Sequence, residues 1–396
     1  MTGLKPGPKW HIPSNILNHM GLSVHPIRHF VPAMAKPRLT PQIKAPCHVL
    51  HFTNHLTENQ CGFQNERHRL LQQAQLEKWA LIEEGNDRLH IQFQDGELIW
   101  HGSQVSSYTF IVPSREGAGF DPDILTQLPK SLYGSFPGLL VCACRFDILK
   151  PSNDLAIFSN IEEALGLPIN ISSLLCQGQL SLWSSTKLDS DGFRRITLQP
   201  HHLDGRILGR AIDHLIQAEF SIHDMATLSL AYDKIRQEIG LIENTLHGLM
   251  ENIIHNRDMT PEDICELTSV TTRLELLRGN CHLNHEHVLS SYKSSSKMLA
   301  QLVEEERYAS LSFSGYFDSL TQPMVNKWQE LFRKQEYLLD KVERGIHLSN
   351  AKLLSISNLT APALDIKITK PWLKPSLATM GILSLIIAIV GFIKLS

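Results

Sequence analysis

Apolar and polar positions alternate along the first half of the chain and recur every seven residues along the second, so two architectures follow one another. In the first half, His48–Phe52 reads as a strand and Asn65–Leu81 as a helix with Leu70, Leu71, Ala74 and Leu81 on one side. Leu89–Gln94 and Glu97–Trp100 alternate on either side of Asp95-Gly96, and Asp-Gly between alternating runs predicts a hairpin. Ser107–Val112, Leu139–Phe146, Leu174–Trp183 and Phe193–Leu198 read as further strands. Short helices are expected near Asp121–Leu128 and Ile161–Leu165. Leu139–Phe146 is nearly continuous in apolar residues, which suits a central strand buried on both faces.

Past Gly205 the period changes. Leu228, Ile235, Ile242 and Leu249 lie seven apart, and so do Tyr232, Ile239, Leu246 and Ile253. Such 4-3 spacing marks a coiled-coil seam. After a break at His255–Met259, Thr260-Pro261-Glu262-Asp263 restarts a helix, with Thr as N-cap, Pro at the first helical position and acids at the positive dipole end. Leu267, Leu274, Cys281, Val288 and Leu302 continue the register there, and a third helix carries it through Phe332, Leu339, Ile346 and Leu353. Three helices of roughly 35–50 residues joined by short turns run antiparallel to their neighbours. Asn284, Ser291 and Ser295 interrupt the second seam, where polar residues either fix alignment or line a wet interior.

The chain closes on Pro375–Ile393, which carries no charge. As a helix it spans about 28 Å, close to the roughly 30 Å hydrocarbon core of a bilayer. We expect a single transmembrane helix there, with Trp372, Lys374 and Lys394 as interface anchors. Gly381, Ser384, Ala388 and Gly391 share one helix face and would let two such helices pack closely. The fold class is therefore α+β: a basic, proline-rich arm over 1–45, a mixed sheet domain over 46–204, a long antiparallel bundle over 205–357, a linker over 358–374 and a membrane helix over 375–393.

Charge and cysteine content refine this picture. No acid precedes Glu58, while Lys5, Lys9, Arg28, Lys36, Arg38 and Lys44 all do, so the arm either lies on an anionic surface or wraps the folded domain. The N-terminus lacks a continuous apolar stretch of the secretory kind, and Lys367, Lys370 and Lys374 precede the last segment. The expected location is the cytoplasmic (inner) membrane with the body in the cytoplasm. Seven cysteines without a C-x-x-C pair read as reduced thiols. Cys142 and Cys144 share a strand face within an apolar run and read as packed thiols.

Chemistry-bearing motifs are sparse: no phosphate loop, dinucleotide fingerprint, nucleophile elbow or zincin signature occurs. Cys281 and His285, four apart on a helix, have metal-ligand spacing but need partners from another helix. Cys281 also falls on the apolar register, where a buried thiol is common. For an enzyme, Tyr108, His51 and Arg210 are the polar residues of choice, each equally suited to a structural hydrogen bond.

Several segments together carry a family resemblance. They are His25-Pro26-Ile27-Arg28, Ala35-Lys36-Pro37 and His51; Trp100 ahead of Tyr108-Thr109-Phe110; Asp191-Gly192-Phe193; Gly209-Arg210, Glu219 and Met225-Ala226; and the terminal Gly391-Phe392. In this order the chain resembles the bacterial membrane-anchored proteins grouped as domain of unknown function 3422. It departs at Val31-Pro32-Ala33-Met34 and Gly102-Ser103-Gln104, where that family is more polar, which implies that a ligand held there is weakened or lost. The resemblance implies no activity. The layout is also similar to CorA-type magnesium channels, but one membrane helix and a bare Met380-Gly381 limit the likeness to shape. The expected function is thus an oligomeric scaffold or regulator, with an ion-transport component and an enzyme as alternatives. Its partners would be the bilayer, further copies of itself through coiled-coil and membrane helices, and an unnamed protein. No cofactor and no nucleic acid are expected.

Overall fold

The structure, a computed structural model, describes residues 41–360 apart from 57–61, 104, 115–119, 122, 134–135, 153–157, 256–260 and 307–309. The basic arm up to residue 40, the linker beyond 360 and the expected membrane helix with its anchors Trp372, Lys374 and Lys394 lie outside the described residues. Among the described residues no helix is long and apolar enough to cross a membrane.

The fold is mixed α+β. Ten strands form one sheet: β1 (Cys47–His55), β2 (Ala80–Glu84), β3 (Arg88–Phe93), β4 (Gly96–Gly102), β5 (Val105–Pro113), β6 (Leu139–Ile148), β7 (Ile171–Leu175), β8 (Leu180–Ser184), β9 (Arg194–Pro200) and β10 (Glu305–Glu306). Their order is β10-β7-β8-β9-β6-β1-β5-β4-β3-β2, antiparallel throughout except for the β6–β9 pair. The apolar run of β6 takes an interior place between β1 and β9, as its composition requires.

Local chemistry explains the differences from the sequence reading. The first helix, α1 (Phe63–Leu76), stops before Leu81, which belongs instead to the exposed edge strand β2. Lys78 breaks the helical run with a φ of 58°. Leu174–Trp183 is two strands, because Cys176, Gln177 and Gly178 all adopt positive φ and turn the chain back on itself. The Asp-Gly hairpin forms, but Phe93 pairs with Gly96, so Gln94 and Asp95 make the turn. Gly96 serves a different need: a Cβ there would meet the Ile111 carbonyl oxygen at 2.4 Å.

Short α2 (Lys130–Tyr133) and α3 (Phe158–Leu165) precede three long helices, α4 (Gly205–His255), α5 (Pro261–Ala300) and α6 (Phe313–Thr360). Contacts fix their directions. Ser221 meets Ser295 and Glu238 meets Arg273, so α4 and α5 are antiparallel. Tyr292 meets Asp318 and Arg278 meets Glu336, so α5 and α6 are antiparallel too. Tyr232 packs on Trp328 and Glu243 pairs with Lys334, which sets α4 and α6 parallel. Ile235, Ile239, Ile242, Leu246, Leu249 and Ile253 are buried on the predicted seam of α4, as are Leu267, Leu274, Cys281 and Val288 on α5. Leu302 is buried beyond the end of α5.

On α6 the register is shifted. Its core line runs through Val325, Trp328, Leu331, Gln335, Leu338, Val342 and Ser349, one residue ahead of the predicted Phe332, Leu339 and Ile346. Gln335 and Ser349 hide this line from a hydrophobic count. Gln335 donates from Nε2 to the Leu274 carbonyl at 3.0 Å, and the Ser349 hydroxyl donates to the Gly345 carbonyl at 2.8 Å. Of the polar seam residues on α5, Ser295 is buried and bonds Ser221 at 2.6 Å, closing a link between helices.

Both faces of the sheet are covered. Leu50, Phe52, Leu89, Ile91, Trp100, Tyr108 and Phe110 look toward α1 and the segment from Ile124 to Phe136. Val49, Cys142, Cys144, Phe146, Ile196 and Leu198 look the other way, into a core shared with α4 and α6. From Leu208 to Ala226 nearly every turn of α4 is buried on all sides; beyond Thr227 only one stripe is. One continuous helix thus serves the sheet with its first half and the bundle with its second.

That helix also packs tightly against the backbone of the segment before β1. A Cβ on Gly209 would lie 2.1 Å from the Pro41 carbonyl oxygen, whereas one on Gly240 meets nothing within 4 Å. Gly209→Ala is expected to lose about 1–3 kcal/mol through overpacking, and Gly240→Ala to gain about 0.5–1 kcal/mol of helix propensity. Denaturant midpoints of the two variants check the contrast.

Candidate functional site

The α4-facing side of the sheet should be apolar, yet a polar stripe crosses it. Inward parity places His101 on β4, Ser107 and Thr109 on β5, His51 and Thr53 on β1, Cys142 and Cys144 on β6, and Arg194 on β9. Strand register lines them up: His101 opposite Ser107, Ser107 opposite Thr53, Thr53 opposite Cys142, then His51 opposite Cys144, and Cys144 beside Arg194. Glu219 and His223 on α4 and Tyr316 on α6 close over its inner end.

His51, Thr53, Ser107, Cys142, Cys144, Arg194 and Glu219 are buried, while His101, Thr109 and His223 are half-buried at its margins. His51 bonds Thr109 through Nδ1 and Thr53 through Nε2, both at 2.8 Å. Burial, with the charge of His101 adding to it, lowers its pKa to about 3 and keeps the ring neutral. Arg194, 2 % exposed, gives its Nε to Glu219 at 2.9 Å and lays its guanidinium over the Tyr316 ring, 4.4 Å from the centroid. Its Nη1 and Nη2 have no hydrogen-bond partner among the described residues. The Cys142 and Cys144 sulfurs are 3.6 Å apart. The hydrogen bond from Cys144 holds the Cys142 thiol below its ordinary value against the opposing effect of burial, with His223 acting in the same direction; Cys144 is pushed well up. Both thiols are packed in the core as expected, and His51, Thr53, Arg194, Glu219 and His223 lie beside them.

The opposite face carries two closed networks. Asp147, fully buried, accepts from His48 at 2.8 Å, Arg145 at 2.9 Å and Arg195 at 2.7 Å. Burial pushes its carboxyl up, but the His48 hydrogen bond and the two guanidiniums outweigh that and leave it well below the usual carboxylate range. Trp100 Nε1 donates to Ser106, Ser106 to the Tyr108 hydroxyl, and Tyr108 to Glu66 at 2.6 Å, where Arg69 completes the chain. A run of donors all pointing at one carboxylate is mutually reinforcing.

The three sequence-selected enzyme candidates therefore do not converge. Tyr108 and His51 point to opposite faces of the sheet, and Arg210 is exposed on α4. Cys281 and His285 do not converge on a common ligand either. Cys281 is buried in the bundle, its thiol pushed up to about 11 by burial and by Glu336, while the His285 ring stacks on Phe332 at 5.3 Å. Among the described residues no group of three or more His, Cys, Asp or Glu is placed to hold a metal ion. The packing residues Gly381, Ser384, Ala388 and Gly391 lie outside the described residues.

Sequence reasoning missed Arg194, His223 and Asp147, and singled out Glu219 only through the family resemblance. A signal existed: Arg145 and Asp147 share one strand face, while consecutive Arg194 and Arg195 must point to opposite faces and each needs its own carboxylate.

Two outcomes follow. Because the folded pKa of His51 lies below its unfolded value, the stability it contributes is complete above about pH 6.5 and is lost as pH falls toward 3. The stability of His51→Gln should therefore fall less steeply with acid, by up to about 1.4 kcal/mol per pH unit, as urea titrations from pH 7 to 4.5 will show. Glu219→Ala strands the Arg194 charge and should cost about 3–5 kcal/mol. The apolar double replacement Arg194→Met with Glu219→Leu should recover most of that loss in the same titration.

Comparison with known proteins matches residues 23–353 to the family described as Protein of unknown function (DUF3422). No curated protein and no solved structure matches the chain. The matched span takes in every strand and nearly all of the three long helices, and the chain belongs to the DUF3422 family.

Proposed function

We propose that this protein is a non-enzymatic, membrane-tethered scaffold or regulator that self-associates through the outer faces of its helical bundle. The observation that carries the reading is a set of leucines left in solvent on those faces. Leu230 and Leu241 on α4 are 53 % and 62 % exposed, and Leu276 and Leu283 on α5 are 71 % and 67 % exposed. Spacings of eleven and seven residues are close to whole numbers of helical turns, so each pair forms a line on one face. Lines of this kind suit a helix from a second copy.

The uncharged segment Pro375–Ile393 supports the tether, and its small residues Gly381, Ser384, Ala388 and Gly391 support association within the bilayer. In this reading the body faces the cytoplasm, and Trp372, Lys374 and Lys394 mark the two interfaces.

Cross-linking in native membranes tests association. Dimers or larger species are expected, and Leu276→Glu with Leu283→Glu should abolish those formed through α5. A monomer under all conditions removes the proposal. Fractionation tests the tether: deleting 375–396 should release folded protein into the soluble fraction. Ile386→Arg should impair insertion, since a central charge costs about 2.5–3.5 kcal/mol. Truncated protein retained in the pellet after an alkaline wash would show another anchor.

A further inference from the structure

We infer that Cys142 and Cys144 form a redox-active dithiol that a low-molecular-weight disulfide converts into an intramolecular disulfide, with His223 as proton acceptor and Arg194 as the counter-charge. Four observations on the α4-facing side of the sheet carry this.

The sulfurs already touch at 3.6 Å, and both cysteines are free. Residues two apart on a strand have Cα atoms about 6.6 Å apart, at the upper limit of what a disulfide spans, so closing the bond draws β6 in locally. His223, half-buried on α4, acts on Cys142 through a side-chain hydrogen bond and its charge, so its ring faces the thiol. Arg194 adjoins Cys144, and its two terminal nitrogens are buried without a hydrogen-bond partner among the described residues, although a guanidinium closed off from water normally fills all its donors. A thiolate formed in the pair would take up that capacity. A dithiol serving only as packing needs neither a base nor a guanidinium with unfilled donors beside it.

The chemistry balances. Cys142 gives its proton to His223, and the thiolate attacks one sulfur of the small disulfide, expelling one thiolate and forming a mixed disulfide. Cys144 then attacks the Cys142 sulfur, its proton leaving with the second expelled thiolate. Two protein thiols are oxidised, and one external disulfide is reduced to two thiols. Because both sulfurs are closed over by α4 and α6, the reaction proceeds through a local opening of that layer rather than through global unfolding.

The test uses reduced full-length protein in detergent, incubated with oxidised glutathione, then denatured, alkylated and digested. The peptide carrying Cys142 and Cys144 should lose two hydrogen masses and regain them with dithiothreitol. Exposed Cys265 reports that the oxidant is active. Cys144→Ser should stop at a glutathione adduct on Cys142. His223→Asn, at a half-buried position, should slow the reaction about tenfold or more without lowering the melting temperature. The inference is overturned if Cys265 is modified while Cys142 and Cys144 are both recovered as free thiols. It is equally overturned if their oxidation rises in step with the unfolded fraction in low urea.

Discussion

A guanidinium removed from water must meet a carboxylate, and the Arg194–Glu219 pair is where this protein satisfies that demand. Arg194 comes from the strand that pairs in parallel with β6, Glu219 from the long helix α4, and the Tyr316 ring beneath the guanidinium from α6. Three elements distant in sequence are thereby held at one point. An apolar contact tolerates sliding; a single-nitrogen bond at 2.9 Å inside a dry core does not. The pair fixes the rotation and the longitudinal position of α4 on the sheet, and hence the direction in which the bundle leaves it.

Secondary anchors confirm the same geometry at the junction. Glu304 accepts from the backbone N–H groups of Phe313 and Ser314, capping α6 at its first turn, and also receives the Ser173 hydroxyl of β7. The helix start is thus tied to the edge of the sheet. Along the other interface His287 on α5 reaches Asp224 on α4 at 2.5 Å, and Asp224 raises the pKa of that histidine. Charges otherwise expensive to bury are concentrated where layers must not slip.

Much of this was legible in the sequence because it rests on periodicity. The strand alternation, the interior place of Leu139–Phe146 and the seven-residue seam of α4 all follow from apolar spacing alone. What escaped notice broke that spacing for a local reason. Gln335 and Ser349 occupy core positions on α6 and displace the apparent register by one residue. Cys176 and Gln177 adopt left-handed backbone that their side chains do not advertise. The polar stripe was hidden differently: each of its members is one residue in an otherwise apolar strand. Only the pairing of three strands brings His51, Thr53, Cys142, Cys144 and Arg194 together. Long-range register is a property of the sheet, and no single strand carries it.

The parallel course of α4 and α6 has a geometric consequence. Phe313 begins α6 against the sheet, and Lys352 near its far end bonds the Ile253 carbonyl close to the tip of α4. At 1.5 Å per residue, 48 helical residues carry the chain about 72 Å. The sheet with its buried thiols and the last described turns of α6 therefore lie at opposite ends of the helical layer, several nanometres apart.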